Sequence, residues 1–210
     1  MGNTDINNDI SIVLCGAAGQ GIQTVEALLT KTLKRTGYHV FATREYMSRV
    51  RGGVNSTTIR VSSNLVRAFV DRIDILIPLN EDAIPHLKER ISTNTLIIGE
   101  SEYINAIGEI NCQKVEVPFR ELSIKLGGKI YANIVSLGVI LCMLNVEKKD
   151  IHNLISENFG KKGQEILDNN IKAVDKGYEV IEDLISSNKI NQKIRIEKDS
   201  RVKNDYILTG

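Results

Sequence analysis

Tryptophan is absent from this chain, and cysteine, histidine and proline occur only three times each. Cys15, Cys112 and Cys142 are scattered and form no C-x-x-C pair, so a disulfide framework, a structural zinc site and an iron–sulfur cluster all lack their ligands. Cys15 and Cys142 sit inside apolar runs and read as small core residues. His39, His86 and His152 are equally isolated, which leaves no metal constellation. No apolar run approaches the ~20 residues that span a bilayer. The polar stretch Met1–Asp9 lacks a signal-peptide core, and a cytoplasmic protein is expected. The net charge of +1 gives no overall attraction to nucleic acid. What is present, 42% hydrophobic and 25% charged residues over 210 positions, fits a globular protein of one large domain or a domain with an appendage.

The most informative stretch is Ile10–Gly21, ISIVLCGAAGQG. An apolar run stops at Gly16, glycines follow at 19 and 21, and helical spacing starts after Gln20. This predicts a buried first strand, a tight glycine turn and a helix opening from the turn. Such a helix aims unpaired N–H groups and the positive end of its dipole at one spot, which attracts a phosphate or carboxylate. The spacing G-x-x-G-x-G differs from the dinucleotide fingerprint G-x-G-x-x-G, and no ribose-binding acid is evident where Val40–Arg44 closes the next apolar run. A purely structural turn and an anion site both remain open at this point.

Further along, Ile22, Val25, Leu28, Leu29 and Leu33 give a helix ending near Gly37, and Tyr38–Ala42 a second strand, hence a βαβ unit. Glu45–Gly53 (EYMSRVRGG) has no clean period and places Arg49 and Arg51 ahead of Gly52 and Gly53. It falls where a loop at the carboxyl ends of the strands would lie, beside the glycine turn. Val54–Val61 and Leu65–Val70 read as a hairpin, so the sheet should be mixed. Strands follow at Ile73–Ile77, Thr95–Ile98 and Lys114–Val117, with short helices over Glu81–Arg90 and Phe119–Leu126. The remainder is helical: Asn133–Met143, a helix capped by Asp150 and stopped at Gly160, and a long amphipathic helix over Gln164–Ser187. Asn170 and Gly177 on its apolar face suggest close backbone approach. The expected architecture is three-layer α/β/α with a mixed sheet over residues 1–188. A basic linker over 189–204 follows, with six basic residues against two acidic ones. No general base, nucleophile or metal cluster is legible, so a self-sufficient enzyme is not expected.

The ordered motifs Gly16-Ala-Ala-Gly-Gln-Gly21, Gly37-Tyr-His-Val40, Glu45-Tyr-Met-Ser-Arg-Val-Arg-Gly-Gly53 and Ala132-Asn-Ile-Val-Ser-Leu-Gly138 resemble the gamma subunit, or gamma domain, of the 2-oxoacid:ferredoxin (acceptor) oxidoreductases. Phe159-Gly-Lys-Lys-Gly163, Asn169-Asn-Ile-Lys-Ala173 and Gly177-Tyr178 extend the resemblance over roughly Ile10–Ile185. One departure is Ala17-Ala18, where relatives commonly carry glycine. The resemblance implies a pyruvate- or 2-oxoglutarate-type enzyme that oxidises a 2-oxoacid with thiamine diphosphate and Mg. It passes electrons through iron–sulfur clusters to ferredoxin and delivers the acyl group to coenzyme A. Thiamine and clusters are expected in alpha, beta or delta parts. The gamma part would pack on the catalytic core and border the coenzyme A site, with Gly16, Gly19, Gln20, Gly21, Arg49, Arg51, Gly52 and Gly53 as the cofactor-contacting residues.

The end of the chain, Asn204-Asp-Tyr-Ile-Leu-Thr-Gly210, resembles the opening of the alpha part in fused gamma–alpha subunits. Residues 205–210 are therefore expected to begin a following alpha domain, with the beta subunit and ferredoxin as further partners. Two other readings stay open: a stand-alone nucleotide- or anion-binding module, and an indolepyruvate-type oxidoreductase subunit.

Overall fold

A computed structural model describes residues 8–17, 20–46, 53–105, 111–190 and 194–204. Six strands form one sheet in the order β2-β3-β1-β4-β5-β6. They are β1 (Asp9–Ala17), β2 (His39–Tyr46), β3 (Val54–Ser62), β4 (Ile75–Pro78), β5 (Leu96–Gly99) and β6 (Gln113–Glu116). β1, β4, β5 and β6 run parallel, whereas β3 is antiparallel to both β1 and β2.

Alternation along β1 supplies two cores at once. Ile10, Ile12 and Leu14 join a cluster with α1 (Ile22–Arg35), α5 (Ala132–Met143), α6 (Lys148–Phe159) and α7 (Gln164–Ser186). Val13 and Cys15 join a second cluster with α2 (Ala83–Leu87) and α3 (Ser101–Asn105). The short α4 (Phe119–Lys125) contributes Phe119 to the first cluster. The sheet is thus covered on both faces, in three layers as expected. α5 is apolar all round because it is buried all round. Burial also pushes the Cys15 thiol up to about 12, which keeps it inert.

Four expectations need correction. The predicted hairpin is absent: Leu65–Val70 is no strand, because β1 and β2 already occupy both edges of β3. That segment is a loop fastened by Arg60 to the Ala68 carbonyl (3.2 Å) and by Arg90 to the Asp71 carbonyl (2.9 Å). The sheet is mixed nonetheless, through β3, which also inserts between the two strands of the βαβ unit. Asp150 does not cap α6; Glu147 holds the cap position and Asp150 lies in the first turn. The α-helix does end at Phe159 with Gly160 at its C-cap, but Gly160 is right-handed and not the left-handed stop expected of a glycine: a 3-10 turn runs on to Lys162 and the chain turns at Gly163, with φ +114°.

The fourth correction concerns the basic segment after Lys189, which packs on the domain. Ile190, Ile196 and Val202 are buried. The Ile194 N–H donates to the Met143 carbonyl and the Asp199 N–H to the Gly37 carbonyl, both at 2.7 Å. His39 bonds the Asp199 carboxylate at 3.2 Å, and the Lys198 ammonium lies 5.6 Å above the Tyr38 ring. Hydrophobic anchors at 190, 196 and 202 were hidden among the charges. Residues 205–210, expected to open another domain, lie outside the described residues.

Candidate functional site

The parallel strands end together at one edge of the sheet. Because β3 opposes both β1 and β2, β2 is parallel to β1 and also ends there, at Tyr46. The register Ala17↔Val54 sets Gly53 beside the end of β1. The described flanks of the two loops, Gly16, Gln20 and Gly21 on one side and Tyr46 and Gly53 on the other, therefore lie at the same edge of the sheet. Gly19, Arg49, Arg51 and Gly52 lie outside the described residues.

Gln20 organises the turn. Its Oε1 accepts the Ala17 N–H at 2.8 Å, and its Nε2 donates to the Leu79 carbonyl at 3.2 Å, tying the end of β1 to the residue after β4. This folded-back side chain requires glycine at 16, where a Cβ would lie 2.3 Å from the Gln20 Oε1. Gly21 adopts φ +78° and its carbonyl accepts the Thr24 and Val25 N–H groups, opening α1 without a side-chain cap. A helix start of this kind leaves its first N–H groups for solvent or a ligand.

From this turn a cleft of about 1270 Å³ runs between α1, the turn at Lys129–Tyr131 and the first turns of α5 and α7. Among the described residues its charged lining is lopsided, with Lys31, Arg44, Arg120, Lys129 and Lys162 against one carboxylate, Glu100. Burial pushes the Glu100 carboxyl up, against the opposing effect of the Arg120 backbone N–H, which it accepts at 2.6 Å. Amides from Asn133, Asn158 and Asn170 and rings from Tyr103, Phe119, Tyr131 and Phe159 complete the walls. Asn170, 4% exposed, donates to the Ile166 carbonyl at 2.7 Å. Its place on the apolar face of α7 reflects the cleft, whereas Gly177 reflects close packing.

Sequence reading missed the ion pair behind the turn. Glu26 of α1 is 7% exposed and accepts Arg44 Nε at 2.6 Å and Nη2 at 3.0 Å, with Thr57 Oγ1 at 3.3 Å. The bond to Glu26 raises the Arg44 pKa above its ordinary value. A usable signal existed: Glu26 interrupts the apolar stripe of Ile22, Val25 and Leu29, and a charge there needs a partner.

Among the described residues no three His, Cys, Asp or Glu side chains converge as a metal site. Cys142 and Cys15 belong to different cores. No helix among the described residues is long and apolar enough to cross a membrane.

Comparison with known proteins agrees with this architecture. The 2-oxoglutarate synthase subunit KorC of Archaeoglobus fulgidus is 26% identical over 174 residues, covering 82% of this chain and 88% of that protein. The fold is shared with a 2-oxoglutarate:ferredoxin oxidoreductase from Magnetococcus marinus, solved with 2-oxoglutarate, coenzyme A and succinyl-CoA bound (TM-score 0.80, 22% identity). That match covers 93% of this chain but only 34% of the Magnetococcus chain. The pyruvate oxidoreductase subunit PORC of Thermotoga maritima also shares it, with TM-score 0.68, 22% identity, and coverage of 82% of this chain and 97% of that one. The model of the pyruvate ferredoxin/flavodoxin oxidoreductase family matches residues 11–180, and the chain belongs to that family.

Proposed function

We propose that this chain is the gamma part of a 2-oxoacid:ferredoxin oxidoreductase of the pyruvate or 2-oxoglutarate type, packed on alpha and beta partners that carry the redox chemistry. In such an enzyme thiamine diphosphate supplies decarboxylation, and electrons leave through iron–sulfur clusters to ferredoxin. This chain's contribution is binding: its cleft holds part of coenzyme A while the acyl group is delivered to the thiol. The observation that carries the reading is the cleft at the carboxyl edge, whose described lining sets five cations against one carboxylate beside a glycine turn. An elongated polyanion with an aromatic base and an amide-rich arm suits its lysines, rings and asparagines. The turn residues Gly16, Gly19, Gln20 and Gly21 and the loop residues Arg49, Arg51, Gly52 and Gly53 form the proposed anion-facing end.

The nucleotide-module alternative fits less well. β3 separates β2 from β1, so the strand beside β1 offers no ribose-binding acid, and Glu45 at the end of β2 accepts Ser56 Oγ at 3.1 Å. The test is Arg120→Ala with Lys129→Ala in the assembled oxidoreductase. The KM for coenzyme A should rise while the KM for the 2-oxoacid stays put. An unchanged KM for coenzyme A would remove this reading.

A further inference from the structure

A second, smaller cavity of about 250 Å³ adjoins the cleft, bounded by Ala17, Gly21, Arg44, Tyr46, Asn55 and Thr57. The two spaces share Gln20, Gly21, Gln23, Thr24 and Arg44, so Arg44 stands in the wall between them. Its guanidinium is held from behind. Glu26, the almost fully buried partner, engages Nε and Nη2, and Thr57 fixes Glu26 in turn. A guanidinium carries five N–H donors; Glu26 takes two and Tyr46 is a further hydrogen-bond partner, which leaves part of the fork for a ligand. The side chain of Arg44 is 36% exposed against 10% for that of Glu26. An approaching ligand therefore meets donors first and the carboxylate last. Asn55, Ser56 and the Tyr46 hydroxyl, which accepts Gln23 Nε2 at 3.2 Å, add polar groups to a lining that also includes Ala17 and Ile22.

A volume below the range of pockets that take whole drug-sized ligands suits one compact group. A planar donor fork selects phosphate or carboxylate geometry over a neutral group. Coenzyme A, if it fills the cleft as proposed above, carries one phosphate monoester, on its ribose. We propose that the small cavity is the subsite for that phosphate monoester, with Arg44 as its ligand and Glu26 as the positioning residue that holds the guanidinium in place. The inference rests on the coenzyme A reading of the larger cleft and adds the residue that distinguishes phosphorylated from dephosphorylated carrier.

The experiment uses the assembled oxidoreductase with coenzyme A and dephospho-coenzyme A as alternative acyl acceptors. Wild type should favour coenzyme A in kcat/KM by about tenfold or more, the scale of a charge-assisted hydrogen bond. Arg44→Gln should bring that ratio close to one by raising the KM for coenzyme A alone, with kcat held. Arg44→Lys keeps a cation for Glu26 but loses the fork, so it should lose part of the ratio even if the glutamine variant folds poorly. Glu26→Gln should also lower the ratio. An undiminished ratio in Arg44→Lys, or no preference in wild type, overturns the subsite. Arg120→Ala separates the two readings. If it raises the KM for both acceptors while the Arg44 variants keep the ratio, the subsite is wrong and the cleft stands. If neither change affects either acceptor, both are wrong.

Discussion

Gly138 of α5 and Gly177 of α7 hold the two helix backbones in direct contact. A Cβ at Gly177 would sit 2.2 Å from the Val135 carbonyl oxygen, and one at Gly138 would sit 2.2 Å from that of Val174. Alanine in a helix interior is intrinsically better than glycine by about 1 kcal/mol. Here the clash is with backbone, which cannot swing aside, so overpacking should win. Gly177→Ala and Gly138→Ala are each expected to destabilise by about 1–3 kcal/mol in denaturant unfolding. The double variant should cost less than the sum, because both methyls force open the same crossing. Increased stability in either single variant would mean the helices can separate freely.

A second relationship predicts acid sensitivity. Asp9 receives Arg60 Nε at 2.6 Å and pairs with Arg72, which also bonds Asp74 at 3.1 Å. Burial works to raise the Asp9 carboxyl, but the bonds from Arg60 and Arg72 outweigh it and hold the carboxyl below the usual range. A depressed folded-state pKa contributes stability that is fully present above the unfolded value of about 3.9 and is lost as pH falls through the folded value. Asp9→Asn should therefore cost about 1–3 kcal/mol at pH 7, and the gap to wild type should close toward pH 2. Urea unfolding across that range is the check; a gap that persists at low pH would assign the loss to packing.

Much of the fold was readable because burial leaves a period. The strand–glycine–helix opening, the long helix over Gln164–Ser186 and the buried strand at Ile75–Pro78 each carry one. The hairpin failed because alternation in Leu65–Val70 says nothing about whether a sheet edge is free to receive it. The strand end and helix start beside the cleft were legible for a similar reason. Gly16 and Gly21 mark the end of β1 and the start of α1 locally, but Arg44, Arg120 and Lys129 look like any solvated cation until the fold brings three distant segments to one cleft. Gln20 was readable as part of a turn, and its bridge to Leu79 was not, since nothing local announces a partner 59 positions away.

The segment after Ile194 offers a test of how firmly charge-rich sequence can dock. Its hold depends on Ile196 and Val202, which are 5% and 1% exposed, and on the Asp199–Gly37 backbone bond. Gly37 has φ +98°, and a Cβ there would come within 3.0 Å of the Asp199 carbonyl oxygen. Ile196→Ser should speed amide hydrogen exchange at Ile194 and Asp199 by about tenfold or more, for a loss of 1.4 kcal/mol or above in local opening. The α5 and α7 amides should be unaffected. Matching acceleration in those helices would show that the segment is part of the global folding unit.

The last prediction decides between a binding turn and a merely structural one. Gln20 needs both halves of its carboxamide: the oxygen for the Ala17 N–H and the nitrogen for the Leu79 carbonyl. Gln20→Glu keeps the acceptor, loses the donor, and sets a carboxylate against a carbonyl oxygen. If the turn is only a clasp, the cost is in stability, about 1–3 kcal/mol for the unsatisfied carbonyl and the repulsion. If the turn borders an anion, the new charge also repels the ligand. The KM for coenzyme A in the assembled enzyme should then rise further than in Gln20→Ala, though both lose the bond to Leu79. Arg51→Ala, from the neighbouring loop, should weaken coenzyme A by about 1–3 kcal/mol and leave thiamine dependence unchanged. Raising ionic strength should narrow the difference between Gln20→Glu and Gln20→Ala, because screening acts on the charge and not on the lost hydrogen bond. Equal KM values for those two variants at low salt, together with a silent Arg51→Ala, would leave the turn as a strand-to-strand clasp.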